Sequence, residues 1–160
     1  MKQLLLLRHA HAEDALPGAA DIDRPLSVRG RAEALDAAQC IAAAGLRCES
    51  LLVSPALRTR ETATIVAAEL DIAEPPRFDA ALYLGNADAL LTALQQCADG
   101  LRTLLLVAHN PGLNELAQRF QATPPLLELR TAGVCLISFD NKARWGDLRP
   151  QLATALRLLR

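Results

Sequence analysis

At 160 residues, 51% hydrophobic and 22% charged, the chain has the apolar content of one domain with a proper core and not that of a disordered segment. A formal net charge of -1 excludes a nucleic-acid binder that works through a broad basic surface, so any anion site has to be a local cluster. The apolar stretches are far shorter than the roughly 20 residues that span a membrane.

Of the 17 basic residues only Lys2 and Lys142 are lysine, and the rest are arginine. Arginine suits bidentate recognition of phosphate or carboxylate, although a base-composition bias that also enriches alanine accounts for much of the excess. Cys40, Cys48, Cys97 and Cys135 are scattered, without the close pairs of a zinc site, and Cys40 and Cys135 read as small core residues. The start, Met1-Lys2-Gln3, leads into only four leucines before Arg8 and carries no leader pattern, so a cytoplasmic protein is expected.

Leu4 to Leu7 is a wholly apolar run that ends abruptly at Arg8-His9, the pattern of a buried parallel strand. Ala12 to Pro25 reads as loop. Ser27 is placed to cap a helix running to about Ala44, which Gly45 ends. Ser50 to Ser54 is a second short strand, and Pro55 starts a helix to Leu70. Pro75-Pro76 precedes a weak extended piece at Arg77 to Asp79, and Asn86 or Asp88 starts a helix to about Cys97. Thr103 to Ala108 is the third strong strand, followed by His109-Asn110-Pro111-Gly112 and a helix to about Phe120. Gly133 to Asp140 reads as a strand, and Trp145 is assigned to a final edge strand. The order predicts a single α/β domain over 1–160, a three-layer sandwich with a mostly parallel sheet and helices on both faces.

In such sheets ligands bind beyond the carboxyl ends of the strands. Three strand ends carry the relevant side chains: Arg8-His9, Ser54 to Arg58, and His109-Asn110. Two histidines and two arginines can therefore converge on one small anion. A histidine attacks phosphorus only as neutral imidazole, and neighbouring guanidinium groups disfavour the imidazolium. The same arginines would hold phosphoryl oxygens and stabilise charge in the transition state, with no metal required. A three-histidine metal site from His9, His11 and His109 is the competing reading, weakened by arginines that would repel a cation. Ser54 lacks the setting of a serine nucleophile, and Asn110-Pro111-Gly112 also reads as a plain helix start.

These residues fall into a known pattern. Leu4 to Ala10 resembles the strand and Arg-His-Gly signature of the histidine phosphatase superfamily. Ser54-Pro55-Ala56-Leu57-Arg58-Thr59-Arg60-Glu61-Thr62-Ala63 is similar to its second block, and Val107 to Gly112 to its second-histidine block. Asp23-Arg24-Pro25-Leu26-Ser27, with Gly30 beyond, resembles the short branch of SixA-type phosphohistidine phosphatases. The resemblance implies that His9 is phosphorylated and then hydrolysed by water, with Arg8, Arg58 and His109 around the phosphoryl group. Arg24 is a further expected contact, and Asn110 an expected substrate-binding residue. It implies no cofactor and no metal. The expected substrate is a phosphorylated partner protein bearing phosphohistidine. A small phosphate ester, or a binding module without turnover, is the alternative, and neither nucleic acid nor membrane is an expected partner. Two departures stand out. Ala10 occupies the signature's glycine position, so the backbone there must avoid a glycine-only conformation. The acid of larger members has no clear counterpart, since Asp79 to Leu91 offers only Asp79 and Asp88; Glu13, Asp14 and Asp21 read as loop charges, with an acid catalyst among them the alternative.

Overall fold

The computed structural model describes residues 1–121 and 128–160. Its strands are β1 (Gln3–Arg8), β2 (Ser50–Val53), β3 (Arg77–Phe78), β4 (Thr103–Ala108), β5 (Val134–Phe139) and β6 (Ala153–Leu158). They form one sheet in the order β3-β2-β4-β1-β5-β6. The pairs β1–β4, β2–β4 and β2–β3 are parallel, whereas β5 runs antiparallel to both β1 and β6. The sheet is thus largely parallel on one side of β1 and closes with antiparallel pairs on the other.

Alternate side chains of the strands feed two separate cores. Leu5, Leu7, Leu105 and Val107 face the helices α1 (Val28–Ala43) and α2 (Leu57–Glu69) through Ala34, Ala38, Ile41, Ala63 and Val66. Leu4, Leu6, Leu104 and Leu106 face α3 (Ala87–Gln95) and α4 (Gly112–Phe120) through Leu90, Leu94, Leu113 and Leu116. All four leucines of β1 are fully buried because the strand is covered on both faces. The three-layer α/β sandwich is as expected.

Local chemistry sets most of the boundaries. Ser27 Oγ accepts from the Gly30 amide to cap α1, and Gly45, at φ +70°, ends it in the left-handed conformation that glycine tolerates. Asn86, not Asp88, caps α3 by accepting from the Ala89 amide. The helix after β2 begins at Leu57, two residues beyond Pro55. There the Thr59 hydroxyl donates to the carbonyls of Ser54 and Ala56 and keeps the intervening chain in a bend.

Trp145 is not in an edge strand. It lies fully buried in a 3₁₀ turn, its indole Nε1 donating to Leu101 O at 2.9 Å and its ring against Phe139, and the edge strand is β6 in the tail. An isolated aromatic carries a strong burial preference but no period, so it marked a core position and not a strand. Cys135 is a buried core residue on β5, and burial pushes its thiol up to about 12; Cys40 is half-buried on α1. No helix among the described residues is long and apolar enough to cross a membrane.

Gly30 is required by close approach. A Cβ there would lie 1.9 Å from the carbonyl oxygen of His11, so the α1 terminus and the loop after β1 could not keep their contact. Gly30→Ala should lower stability by about 1–3 kcal/mol, read as a fall in the thermal midpoint. Gly100→Ala, whose Cβ meets nothing within 4 Å, should leave it near the parent value.

Candidate active site

The sheet register assembles the site. Val107 on β4 is paired with Leu7 on one side and Val53 on the other, and Arg8 lies opposite Ala108. His9, Ser54 and His109 therefore leave three adjacent parallel strands at one edge. The His9 amide donates to Ala108 O at 3.1 Å, and the His9 and His109 rings lie 5.2 Å apart between centroids. The first turn of α2 then places Arg58, 3% exposed, beside His109.

Hydrogen bonding fixes both tautomers. His9 Nδ1 sits 2.8 Å from Ala10 O; a carbonyl only accepts, so Nδ1 carries the proton and the lone pair is on Nε2. Arg58 Nη2, which only donates, approaches His109 Nδ1 at 3.4 Å, so His109 Nε2 carries the proton and donates to Ser54 Oγ at 2.7 Å. Both imidazoles are held neutral. Burial pulls the pKa of His9 down to about 4, and the charges of Arg58, Arg8 and Arg24 push the same way. For His109, burial and then the neighbouring His9 and Arg58 bring it to about 3.

Both histidines line a cleft of about 430 Å³ at this edge, as do Arg8, Arg24, Arg58 and Asn110. All six residues expected from the sequence thus meet in one place. Arg8 Nη1 and Asn110 Nδ2 both donate to Leu129 O, at 3.0 and 2.8 Å. Arg24 donates through Nε to Glu13 O at 2.7 Å and pairs through Nη1 with Asp21 at 3.1 Å. His11 also lines the cleft, but its Nδ1 is 2.7 Å from Ser27 Oγ. Among the described residues no group of three His, Cys, Asp or Glu side chains is placed to hold a metal ion, so the three-histidine alternative has no geometry behind it.

Ala10 is fully buried and absent from the residues of positive φ, so its position does not demand glycine. Its amide donates to Thr62 Oγ1 at 3.1 Å, and the Thr62 hydroxyl donates to Arg58 O at 2.7 Å. One threonine thereby ties the His9 turn to the helix that carries Arg58. Glu61 anchors the same helix to the loop by accepting from the Leu26 amide at 2.6 Å and from Arg31 at 3.1 Å. Neither Asp79 nor Asp88 lines the cleft: Asp79 caps a turn at Ala81, and Asp88 pairs with Arg119.

The sequence leaves Asp21 with Glu13 and Asp14 as loop charges and gives Tyr83 no role. Asp21 takes Arg58 Nη2 on Oδ2 at 3.0 Å and Arg58 Nη1 on its main-chain carbonyl at 2.8 Å, and Tyr83 Oη donates to Oδ2 at 2.7 Å. The Tyr83 ring stands edge-on to His109, with centroids 5.7 Å apart. The one sequence signal was Asp21 three residues before Arg24, a spacing at which side chains meet within a helical turn.

An α/β sheet edge with two neutral imidazoles in an arginine-lined cleft defines a class: proteins that handle a small oxyanion. The chain belongs to the histidine phosphatase superfamily (branch 1), whose sequence model matches residues 4–83. An uncharacterized protein of Picosynechococcus sp. is 36% identical over 135 residues, 82% of each chain. The protein histidine phosphatase SixA, solved with tungstate, aligns at a TM-score of 0.76 and 25% identity over 86% of this chain and 88% of that one. A candidate SixA phosphohistidine phosphatase from Nakamurella multipartitia shares the fold at a TM-score of 0.81 and 24% identity, over 98% and 95% of the two chains. The likeness is thus of the SixA type, and membership of the superfamily makes the chain a phosphatase by class.

The depressed histidines give a pH prediction. Unfolded, each imidazole takes a proton near 6.5; folded, His9 waits until about 4 and His109 until about 3. Between those values the unfolded chain binds more protons, so stability is lost as pH falls from 6.5 toward 4. The thermal midpoint should drop between pH 7 and pH 4.5, and less steeply in His9→Gln and His109→Gln. NMR titration of the two imidazoles should show no inflection near 6.5.

Proposed function

We propose that the chain hydrolyses a phosphoryl group through a phosphohistidine on His9, and that its substrate is phosphohistidine in a partner protein. The single observation that carries the mechanism is the tautomer of His9. Its proton is committed to Ala10 O, the ring is neutral, and Nε2 holds its lone pair in an arginine-lined cleft. Nε2 attacks phosphorus, the bond to the leaving group breaks, and water then displaces the phosphoryl group from His9. Arg8, Arg58 and Arg24 carry the charge of the phosphoryl oxygens, and Asn110 lies at the wall as a further polar contact.

His109 works in step with the anion. Before a phosphoryl group enters, Nδ1 has no proton because Arg58 and burial disfavour one. An incoming dianion reverses that balance, so Nδ1 can gain a proton and donate it in a hydrogen bond to a phosphoryl oxygen while Ser54 holds the other side of the ring. Support for oxyanion binding comes from the SixA relative solved with tungstate, a tetrahedral anion like phosphate.

Support for phosphohistidine comes from the acids. Asp79 and Asp88, the carboxylates in the stretch where larger members keep an acid, are occupied elsewhere. Asp21 stays ionised, held well below the usual carboxylate range by the Tyr83 hydroxyl and then by Arg24 and Arg58. A phosphoramidate nitrogen departs with less help than an alkoxide, which matches a cleft lacking an assigned acid.

The test is a paired assay, with EDTA present, of parent and His9→Ala on a phosphohistidine protein and on a small aryl phosphate. Turnover of the phosphohistidine protein, abolished in His9→Ala, is the expected result. Arg58→Ala should lose about two to three orders of magnitude in rate, as when one oxyanion donor is removed. Turnover of the aryl ester alone would discard the substrate and keep the mechanism. Silence on both would replace the enzyme with a phosphoprotein-binding module.

A further inference from the structure

Resting on the phosphoryl-pocket reading above, we infer that Asp21 is the site's own counter-anion: its carboxylate occupies the guanidinium groups that a phosphoryl group must take, and it thereby sets a weak affinity for free phosphate. Arg58 has five N–H bonds to give. Its Nη2 faces Asp21 Oδ2 and His109 Nδ1, its Nη1 gives one bond to Asp21 O, and its Nε is buried without a partner. With Asp21 in place, an oxyanion entering the cleft can draw only one N–H from Nη1. Arg24 is engaged less fully: among the described residues its Nη1 is on Asp21 Oδ1 and its Nε on Glu13 O, which leaves its other N–H bonds open to an anion.

The carboxylate can give way. Asp21 lies in a short 3₁₀ turn of the loop after β1, and its side chain is 45% exposed whereas that of Arg58 is 4% exposed. The buried partner is fixed and the exposed one is free to swing out. Tyr83 supplies the alternative hold, since its hydroxyl can stay on Oδ2 once another anion has taken the place of the carboxylate on the guanidinium groups. The electrostatic consequence follows. A cage of three arginines and two histidines would retain product phosphate, and a fixed negative charge beside it opposes that retention.

The competing role for Asp21 is to position Arg58, and the two predict opposite signs. Asp21→Asn keeps one acceptor oxygen and the shape, turns the other oxygen into a donor and removes the charge. If Asp21 competes, inorganic phosphate should bind Asp21→Asn of the order of tenfold more tightly than the parent, the effect of removing one like charge near a dianion in a partly solvated site. Titration calorimetry with inorganic phosphate reads this without any turnover. In the assay, product inhibition by phosphate should deepen by the same factor. Asp14→Asn is the control for general electrostatics, because Asp14 lines the cleft but makes no hydrogen bond to either guanidinium among the described residues; its gain should be clearly smaller. Equal gains in both variants, or unchanged or weaker binding in Asp21→Asn, would overturn the inference. Absence of phosphate binding in the parent and in both variants would instead bring down the phosphatase reading, and this inference with it.

Discussion

The structure hangs on the shared register of β1, β4 and β2. Val107 is the common partner of Leu7 and Val53, and from that pairing the positions of His9, His109 and Ser54 follow. A slip of one residue on β1 would carry His9 about 3.3 Å along the strand direction and would also turn Leu5 and Leu7 from the α1–α2 core into the α3–α4 core. The register is therefore protected by the full burial of both faces, and the edge that carries the cleft inherits that protection. Thr62 extends it, bridging the Ala10 amide to the Arg58 carbonyl, so that helix α2 cannot shift without disturbing the turn beside His9.

Burial has a second consequence at the same edge. It removes water from two imidazoles and brings arginines near them, and each effect alone disfavours a protonated ring. The folded protein is expected to lose stability in mild acid for the reason that leaves His9 Nε2 unprotonated at neutral pH. On the proposed reading the balance changes when an anion enters: its charge offsets the guanidinium groups, and His109 then becomes a donor. On that reading the site is organised around a charge it does not itself contain, with Asp21 supplying part of that charge at rest.

Most of the fold was legible because its determinants are local or periodic. Leu4 to Leu7, Ser27 and Gly45 each act within a few residues of themselves, and the strand-end rule then gathers Arg8, His9, Arg58 and His109 on one edge. Trp145 was misplaced because burial without period does not specify an element. The pairing of Asp21 with Tyr83 was illegible for another reason. Their contact spans 62 positions in the chain and joins two irregular segments, and nothing in spacing or hydropathy encodes such a pair. The sequence presents Asp21 as one acid among four in an exposed loop, and only the folded chain shows which of them reaches the arginines.

That distinction bears on leaving-group chemistry. A carboxyl group can protonate a departing atom only if it holds a proton at working pH, which calls for an apolar enclosure or a like charge nearby. Asp21 has the reverse, a phenol and two guanidinium groups that favour its ionised form. The nearest acid to the buried arginine is thereby disqualified as a proton donor by the contacts that hold it there. On the proposed reading Asp21 cannot give the leaving group its proton, and the substrate or water can supply it. A phosphorylated imidazole meets that condition, because its other ring nitrogen is basic enough to hold a proton before the bond to phosphorus breaks, and the ring then departs as neutral imidazole. An alkyl ester does not, since its bridging oxygen is far too weakly basic.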